Sequence, residues 1–469
     1  MTATAPRTAS AAAGFQTLET ETRIDSLPVH GEIPAWLTGS LMRPGPAKFE
    51  AGSQQLRHWF DGLSMLHRFS FNDGQVAYAN RFLEGRSYKT AKETGRMSYS
   101  EFATDPCRSI FQRVQSIFSP ALGDNANINM VKLGERCLAL TEPPIAVEFD
   151  PDTLAAAGVG HEAPGMLTTA HPHLDRGTGE MLNYAARLGR RNEYRFYAQA
   201  PGDAKPRILG RRSVREPAYM HSFGLTENWF VLAEFPFVVN PLRLALSGRP
   251  YIENYRWKPE LGTRFTLIDR KTGRVLGPFE AEPWFAFHHV NAYEEDGDVV
   301  ADICVYEDNG VIDDLYLDRL RAGTNGLPQS RLRRFRISPA SGEVREHDLS
   351  ERNLELARIN YRRCNERPYR YTWGNSSADT GWLEQIVKID VTDGTDSVWE
   401  APGCFPGEPV FVAAPDAEEE DAGVLLSVVL DAHTNTSFLL VLDAQTLTEL
   451  GRAEVPHHIP FGFHGQYVK

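Results

Sequence analysis

The sequence has few cysteines, and none of them stand in a Cys-x-x-Cys spacing. The 469-residue chain contains five, scattered along its length: Cys107, Cys137, Cys304, Cys364 and Cys404. An odd number without close pairs excludes a disulfide framework and a thiolate zinc site, and it suits a reducing compartment. We therefore predict a cytoplasmic protein.

The chain also lacks an excess of positive charge and any long apolar segment. Its 49 Lys and Arg against 62 Asp and Glu give a net charge of −13, which argues against binding to nucleic acid, because phosphate contacts require clustered basic side chains. No stretch approaches the ~18 uninterrupted apolar residues that indicate a transmembrane helix. Residues 1–14 lack the charged segment and apolar run of a signal peptide, and we predict a disordered tail over residues 1–26.

The sequence does contain a repeated pattern of strands and turns. Apolar residues recur with period two over 65–71, Asn72-Asp73-Gly74 follows, and the alternation resumes at Val76, which predicts a β-hairpin. A related motif consists of an apolar residue and Asp or Ser followed by a short turn. It recurs at 149–154, 174–179, 268–273, 337–342, 389–394 and 442–447. This irregular spacing favours a β-propeller with long insertions between blades. A large β-sandwich is the alternative, and in either case we predict one domain over 27–469.

One segment, 106–120, has helical rather than strand periodicity. Its apolar residues fall on one helix face: Ile110, Phe111, Val114, Ile117 and Phe118. The segment is either a helix packed on the core or, because Arg108 and Arg113 make it locally basic, a helix at a membrane surface. We predict the second, with residues 107–118 facing the membrane. Residues 235–246 are another candidate apolar surface.

Four of the 14 histidines stand beside apolar or glycine residues where strands begin: His171, His221, His288 and His464. They are far apart in the sequence, so only a closed fold could bring them together. A propeller could do so, because the inner strand of every blade faces one axis. Imidazole is a common ligand of iron, zinc and copper, and spacing alone leaves open both the site and its metal.

Together with their neighbours, these histidines resemble the motifs of the carotenoid cleavage oxygenases. The matching segments extend over most of the chain: Arg43-Pro44-Gly45-Pro46, Trp59-Phe60-Asp61-Gly62, His171-Pro172, His221-Ser222-Phe223-Gly224-Leu225, Phe287-His288-His289-Val290-Asn291 and Phe463-His464-Gly465. The resemblance implies an all-β fold, a seven-bladed β-propeller with a helix-containing cap over an axial metal site. It also implies one Fe2+ per chain, held by His171, His221, His288 and His464, so that His173 and His289 are not ligands.

The resemblance further implies that three glutamates accept hydrogen bonds from the imidazoles: Glu142, Glu355 and Glu408. Each would fix the tautomer of a ligand and raise its basicity. Ile128 matches the residue that lies over an open coordination position, where Thr or Val is more usual in the family. Thr141 precedes Glu142, at the position where stilbene-cleaving members have a lysine.

The implied function is a non-haem Fe2+ dioxygenase that cleaves a backbone C=C bond of a carotenoid or apocarotenoid with O2 and releases two carbonyl products. Thr141 favours such an apolar polyene. Three alternatives remain: a dioxygenase that cleaves stilbenes or other phenylpropenoids, an O2-independent isomerohydrolase of the retinoid type, and a silent propeller that binds lipid or protein. Because the substrate is dissolved in membranes, we predict peripheral membrane association through residues 107–118, and no obligate protein partner.

Overall fold

The computed structural model describes residues 10–105, 122–189, 191–323, 326–378 and 381–469. Within these residues, seven antiparallel sheets of four to six strands follow one another as the blades of a β-propeller, which confirms the predicted fold. We number the blades 1 to 7 in chain order.

Blades 1 to 3 are listed from the inner strand outwards. Blade 1 contains Gln466–Val468, Gly39–Lys48, Leu63–Asn72, Gln75–Phe82 and Thr22–Ile24. Blade 2 contains Asn129–Leu133, Arg136–Leu140, Ile145–Phe149 and Ala156–Glu162. Blade 3 contains Leu167–Thr168 with His173–Leu174, Met181–Arg187, Asn192–Gln199 and Arg207–Val214.

Blades 4 to 7 have the same order. Blade 4 contains Gly224–Leu225, Trp229–Glu234, Thr263–Asp269 and Val275–Ala281, and blade 5 contains Phe285–Glu295, Asp298–Tyr306, Arg331–Ile337 and Val344–Asp348. Blade 6 contains Glu355–Arg358, Tyr371–Ser376, Gln385–Asp390 and Asp396–Glu400. Blade 7 contains Cys404–Pro406 with Val410–Ala413, Gly423–Asp431, Thr436–Asp443, Glu449–Val455 and Val29–Gly31.

The remaining elements are short. Two small sheets pair Glu50–Ala51 with Gln54–Gln55 and Phe237–Val239 with Tyr255–Trp257. The α-helices in the described residues are Arg86–Thr94, Pro241–Leu246, Gly310–Asp314, Leu317–Ala322 and Tyr361–Cys364, and the 3-10 helices are Ala11–Phe15, Trp59–Asp61, Ile252–Asn254 and Pro259–Leu261. None of these helices combines the length and the apolar character that crossing a bilayer requires.

The recurring motif of an apolar residue and Asp or Ser forms one kind of turn. In blade 3 the Gly179 N–H donates to the Asp175 carbonyl at 2.9 Å, and the Asp175 carboxylate accepts the N–H groups of Gly177 and Thr178 at 3.0 and 2.7 Å. The last residue of the turn has a left-handed backbone, with φ of 70° at Gly179. A short side chain that bonds its own backbone and a residue that accepts positive φ therefore explain why the motif marks the hairpins.

Both ends of the described chain take part in closing the ring. Val29–Gly31 adds an outer strand to blade 7, where Val29 pairs with Ala453. Gln466–Val468 adds the inner strand to blade 1, where Ser40 pairs with Val468. Closing the ring in this way pairs strand edges that would otherwise be open.

The segment 10–26 is ordered, contrary to the predicted disordered tail of residues 1–26; residues 1–9 lie outside the described part. Phe15 is 1% exposed, and its ring lies 4.9 Å from that of Trp382 and 5.2 Å from that of Phe461. Thr22–Ile24 pairs with the outer strand of blade 1. The prediction from composition was wrong, because Phe15 packs into the core in a segment otherwise rich in small residues. The predicted membrane helix of 106–120 lies outside the described residues.

We expect Phe15→Ala to lower the free energy of unfolding by about 3 to 5 kcal/mol, the usual cost of truncating a buried phenylalanine. Urea denaturation followed by tryptophan fluorescence measures it. Leu261→Ala, at a residue that is 39% exposed, is the matched control and should change stability by less than about 0.5 kcal/mol. Equal effects of the two substitutions would show that residues 10–26 do not pack as described.

Candidate metal centre

Four imidazoles from four blades meet at the centre of the propeller. His171 stands between the two inner strands of blade 3, and His221 precedes the inner strand of blade 4. His288 lies within the inner strand of blade 5, and His464 precedes the inner strand of blade 1. One nitrogen of each ring lies within 4.8 Å of the other three. The structure thus brings together all four histidines that the sequence motifs indicate.

The separations between these nitrogens fit one bound ion. His171 Nε2 lies 3.1 Å from His221 Nε2, and His288 Nε2 lies 3.1 Å from His464 Nε2. Two imidazole nitrogens bound at right angles, each about 2.1 Å from an ion, are about 3 Å apart. The geometry matches a metal site with neighbouring imidazoles.

Three glutamates from the other three blades hold three of the imidazoles. The Nδ1 atoms of His221, His288 and His464 donate to Glu142 at 2.7 Å, to Glu355 at 2.5 Å and to Glu408 at 2.7 Å, in that order. Glu142 follows the second strand of blade 2, Glu355 begins the inner strand of blade 6, and Glu408 lies between the inner strands of blade 7. Every blade therefore contributes one histidine or one glutamate to the centre.

These hydrogen bonds decide which nitrogen faces the centre as a ligand. With the proton on Nδ1, the Nε2 atoms of His221, His288 and His464 carry lone pairs. Lone pairs this close repel one another, and a cation between them relieves the repulsion. These nitrogens therefore fit a divalent metal held by neutral imidazoles. The carboxylates that are hydrogen-bonded to the imidazoles compensate the charge of the metal.

His171 differs from the other three. It is only partly buried, and in the described residues no carboxylate accepts a bond from its ring. Its backbone N–H donates to Thr169 Oγ1 at 2.7 Å, which fixes the chain ahead of Pro172.

Burial lowers the pKa of three histidines of the cluster, His171, His221 and His464. The pKa of His171 and of His464 falls well below the ordinary range, and that of His221 is also lowered, although Glu142 opposes the shift. Neutral imidazole is the form that binds metals. Desolvation thus keeps these three rings in the neutral form that binds a metal.

The neighbouring histidines have other partners. His173 Nε2 donates to the Phe223 carbonyl at 3.0 Å, and its Nδ1 lies 3.0 Å from the Tyr361 hydroxyl. His289 Nδ1 lies 2.9 Å from Ser222 Oγ. In both pairs the first histidine is the one that joins the cluster.

An apolar cavity reaches the cluster from the side covered by the insertion after blade 5's second strand. Aromatic rings form much of its wall: Trp59, Phe60, Phe287, Trp382 and Phe463. Ile128 also lines it, and its carbonyl accepts the His464 N–H at 3.2 Å. Ile128 therefore lies beside the metal centre, whereas Thr141 is buried next to Glu142 and is not among the residues that line the cavity.

A second cavity also borders the cluster and has a more polar lining than the first. Asn129, Lys132, Arg358 and Gln466 line it, and so does His171. His288 and His464 line both cavities. The metal centre therefore separates two spaces of different chemistry.

Some residues of the centre were not predicted from the sequence. The Tyr219 hydroxyl donates to Glu142 Oε1 at 2.8 Å, and Arg358 Nη2 donates to Glu408 Oε2 at 3.1 Å. Tyr219 stands two residues before His221, so the period of an extended chain could have indicated it. No sequence signal links Arg358 to Glu408, because they lie on different blades.

Comparison with known proteins agrees with this architecture. The family described as Retinal pigment epithelial membrane protein matches residues 15–469. A carotenoid isomerooxygenase of Galleria mellonella is 36% identical over 94% of this chain and 93% of its own, and a β,β-carotene 15,15'-dioxygenase of Rattus norvegicus is 34% identical over 94% and 88%. Cobalt-substituted apocarotenoid oxygenase of Synechocystis superposes with a TM-score of 0.87 at 28% identity, over 99% of this chain and 100% of its own.

A seven-bladed propeller with four imidazoles at its centre defines a class of metal-binding oxygenase scaffold. Within that class, the chain belongs to the carotenoid cleavage oxygenase family.

We expect His221→Ala to abolish stoichiometric metal binding, because it removes one lone pair and leaves Glu142 without its imidazole. Metal per chain, measured by plasma emission spectroscopy after loading and desalting, is the test. His289→Ala is the matched control, since it removes a buried histidine outside the cluster and should leave the metal content unchanged. Retention of metal by His221→Ala would contradict the assignment of the ligands.

Proposed function

We propose that this protein is a non-haem Fe2+ dioxygenase that cleaves a backbone C=C bond of a carotenoid or apocarotenoid with O2 and yields two carbonyl products. The observation that carries the proposal is the aromatic cavity that ends at the four-imidazole cluster. The names of the relatives, carotenoid isomerooxygenase and β,β-carotene 15,15'-dioxygenase, support the same substrate class.

The cavity wall suits an apolar polyene. The ring of Phe60 lies 5.9 Å from that of Phe287 and 5.1 Å from that of Phe463, between ring centroids, and all three rings line the cavity beside the cluster. Such rings bury extended apolar surface and offer π-electron contacts to a conjugated chain. The described lining residues include no Lys or Arg that would stabilise a phenolate. This composition favours a carotenoid over a hydroxylated stilbene.

Iron is the metal that the proposed reaction requires. Imidazole accepts iron, zinc and copper alike, but zinc has no redox chemistry. One bound Fe2+ would supply the activation of O2 for attack on the double bond. His171, His221, His288 and His464 would hold it, and Glu142, Glu355 and Glu408 would balance its charge and keep the imidazoles oriented. Phe60, Phe287 and Ile128 would position the polyene and exclude water.

The test is incubation of iron-loaded protein with β-carotene and with an apocarotenal under 18O2, with products trapped before they exchange oxygen with water. We expect two carbonyl products from one double bond, both labelled. A rearranged alcohol formed without O2 from a retinyl ester in a parallel incubation would establish the isomerohydrolase instead, and unchanged substrates with stoichiometric iron would point to a binding protein.

We also propose that the protein works at a membrane surface. Leu242 and Leu246 are 73% and 72% exposed on the helix Pro241–Leu246, four residues apart and so on one face. Burial lowers the pKa of Arg256, and the nearby guanidinium groups of Arg243 and Arg249 lower it further, so three arginines make the surroundings of this helix basic. Exposed apolar side chains next to arginines suit an interface with anionic lipids. Residues 107–118, which lie outside the described residues, remain a separate predicted membrane contact.

Leu242→Ser with Leu246→Ser should reduce co-sedimentation with liposomes that contain anionic lipid, because each substitution removes apolar area from the interface. The same variant should keep its activity on a detergent-solubilised apocarotenal. The matched control is Leu261→Ser, another exposed leucine, 39% exposed and outside this helix. Unchanged liposome binding of the double variant would rule out docking through this helix.

A further inference from the structure

The three glutamates at the metal centre have different partners on the side away from their imidazoles. Glu142 accepts a bond from the neutral Tyr219 hydroxyl. Glu355 accepts the Leu356 N–H at 3.0 Å, and the neutral Tyr306 hydroxyl lies beside it. Among the described residues, Glu408 is the one of the three that pairs with a cationic side chain.

Arg358 holds Glu408 closely. Its Nη2 donates to Oε2 at 3.1 Å, and its Nε lies 2.8 Å from Oε1. The same Nη2 donates to the carbonyl of Gly465, and the Gly465 N–H donates to Glu408 Oε2 at 2.9 Å. Glu408 is 1% exposed, so this contact is little weakened by solvent. Arg358 thus connects the carboxylate to the residue that follows the ligand His464.

A second guanidinium, that of Arg43, lies behind this pair. Arg43 is 6% exposed, and within the described residues its Nε and Nη2 have no hydrogen-bond partner. Burial lowers its pKa, and the attraction of Glu408 opposes that shift. A Cβ at Gly407 would lie 3.0 Å from Arg43 Nη1, and one at Gly465 would overlap Arg43 Cγ. The glycines beside Glu408 and His464 therefore leave room for this cation.

The positive side chains around the centre are consequently concentrated near Glu408. Three carboxylates, one Fe2+ and the Arg358 guanidinium together carry no net charge. Without Arg358 the same set would be anionic, which would favour Fe3+ over Fe2+, because the oxidised ion has one more positive charge. Of the three histidine–glutamate pairs, His464 with Glu408 is the one whose carboxylate charge is balanced by an arginine.

We propose that Arg358 is a positioning residue that orients Glu408 and offsets its charge, and that it thereby raises the reduction potential of the iron and favours Fe2+. The inference rests on the proposed function, since it requires iron at the four imidazoles. Arg43 adds to the same effect from a greater distance along the chain of contacts.

The experiment is a potentiometric titration of iron-loaded, substrate-free protein with chemical mediators, following the one-electron couple in which Fe3+ gains an electron to become Fe2+. In Arg358→Gln the Fe3+ to Fe2+ ratio at a fixed potential should rise about tenfold, as expected for the loss of one partly screened unit charge. This equals a fall in midpoint potential of about 59 mV. Arg358→Lys keeps the charge and should restore most of the difference.

Two further variants make the test specific. Arg452→Gln removes the same charge from an Arg–Glu pair on the outer part of blade 7 and should leave the midpoint unchanged. Glu408→Gln leaves Arg358 unopposed and should shift the midpoint upwards. If Arg358→Gln alone does not fold or bind iron, the double variant Arg358→Gln with Glu408→Gln decides the proposal: it removes both charges of the pair, so its midpoint should return to that of the wild type, whereas a midpoint equal to that of Glu408→Gln would show that Arg358 has no effect.

Equal midpoints for the wild type, Arg358→Gln and Glu408→Gln would overturn the role of Arg358. So would an equal fall in Arg358→Lys and Arg358→Gln, since it would show that shape and not charge matters. Failure of the proposed function looks different: a wild type that binds no iron shows no couple, and a wild type that binds iron but cleaves no polyene still shows the couple and its shift in Arg358→Gln.

Discussion

The hydrogen bond from a ligand imidazole to a buried carboxylate is the interaction on which the rest of the centre depends. It places the proton of His221, His288 and His464 on Nδ1, so that Nε2 can bind a metal. It also provides anionic charge next to a cation that neutral imidazoles cannot compensate. Because His464 lies in blade 1 and Glu408 in blade 7, the bond between them is formed only when the ring of blades is closed.

The position of the centre between an aromatic and a polar cavity follows from the propeller itself. Inner strands converge, and their backbone leaves a central space that the four imidazoles divide. On one side the insertion after blade 5's second strand brings Val311 and Leu315 over the cluster, which keeps a conjugated chain away from water. On the other side Arg358 and Lys132 face the polar cavity. A charged group can therefore act on the metal without entering the substrate space.

Much of the fold could be predicted from the sequence, for a chemical reason. Turns built from a short acidic side chain and a residue of positive φ have a recognisable pattern, and the hairpin at 65–82 forms with its turn at Asp73 and Gly74. The number of blades could not be obtained this way and came from the family resemblance. The ordered segment 10–26 was missed because its stability comes from Phe15, whose partners Trp59, Trp382 and Phe461 are distant in sequence.

The centre was predictable in part. The histidines stand in distinctive motifs, but the glutamates could be indicated only by resemblance, because a carboxylate aimed at an imidazole and one aimed at solvent look alike in a sequence. Arg358 shows the limit most clearly. It follows Glu355 by three residues on blade 6 but contacts Glu408 of blade 7, so local spacing points to the wrong glutamate.

The strand Gln466–Val468 that completes blade 1 directly follows His464, and this order has a consequence for biosynthesis. A nascent chain cannot form the site progressively, because the fourth imidazole is made after every blade has received its other strands. The three earlier imidazoles and the glutamates must wait without their full set of partners until translation reaches residue 464. A metal bound at that moment would join blade 1 to blades 3, 4 and 5.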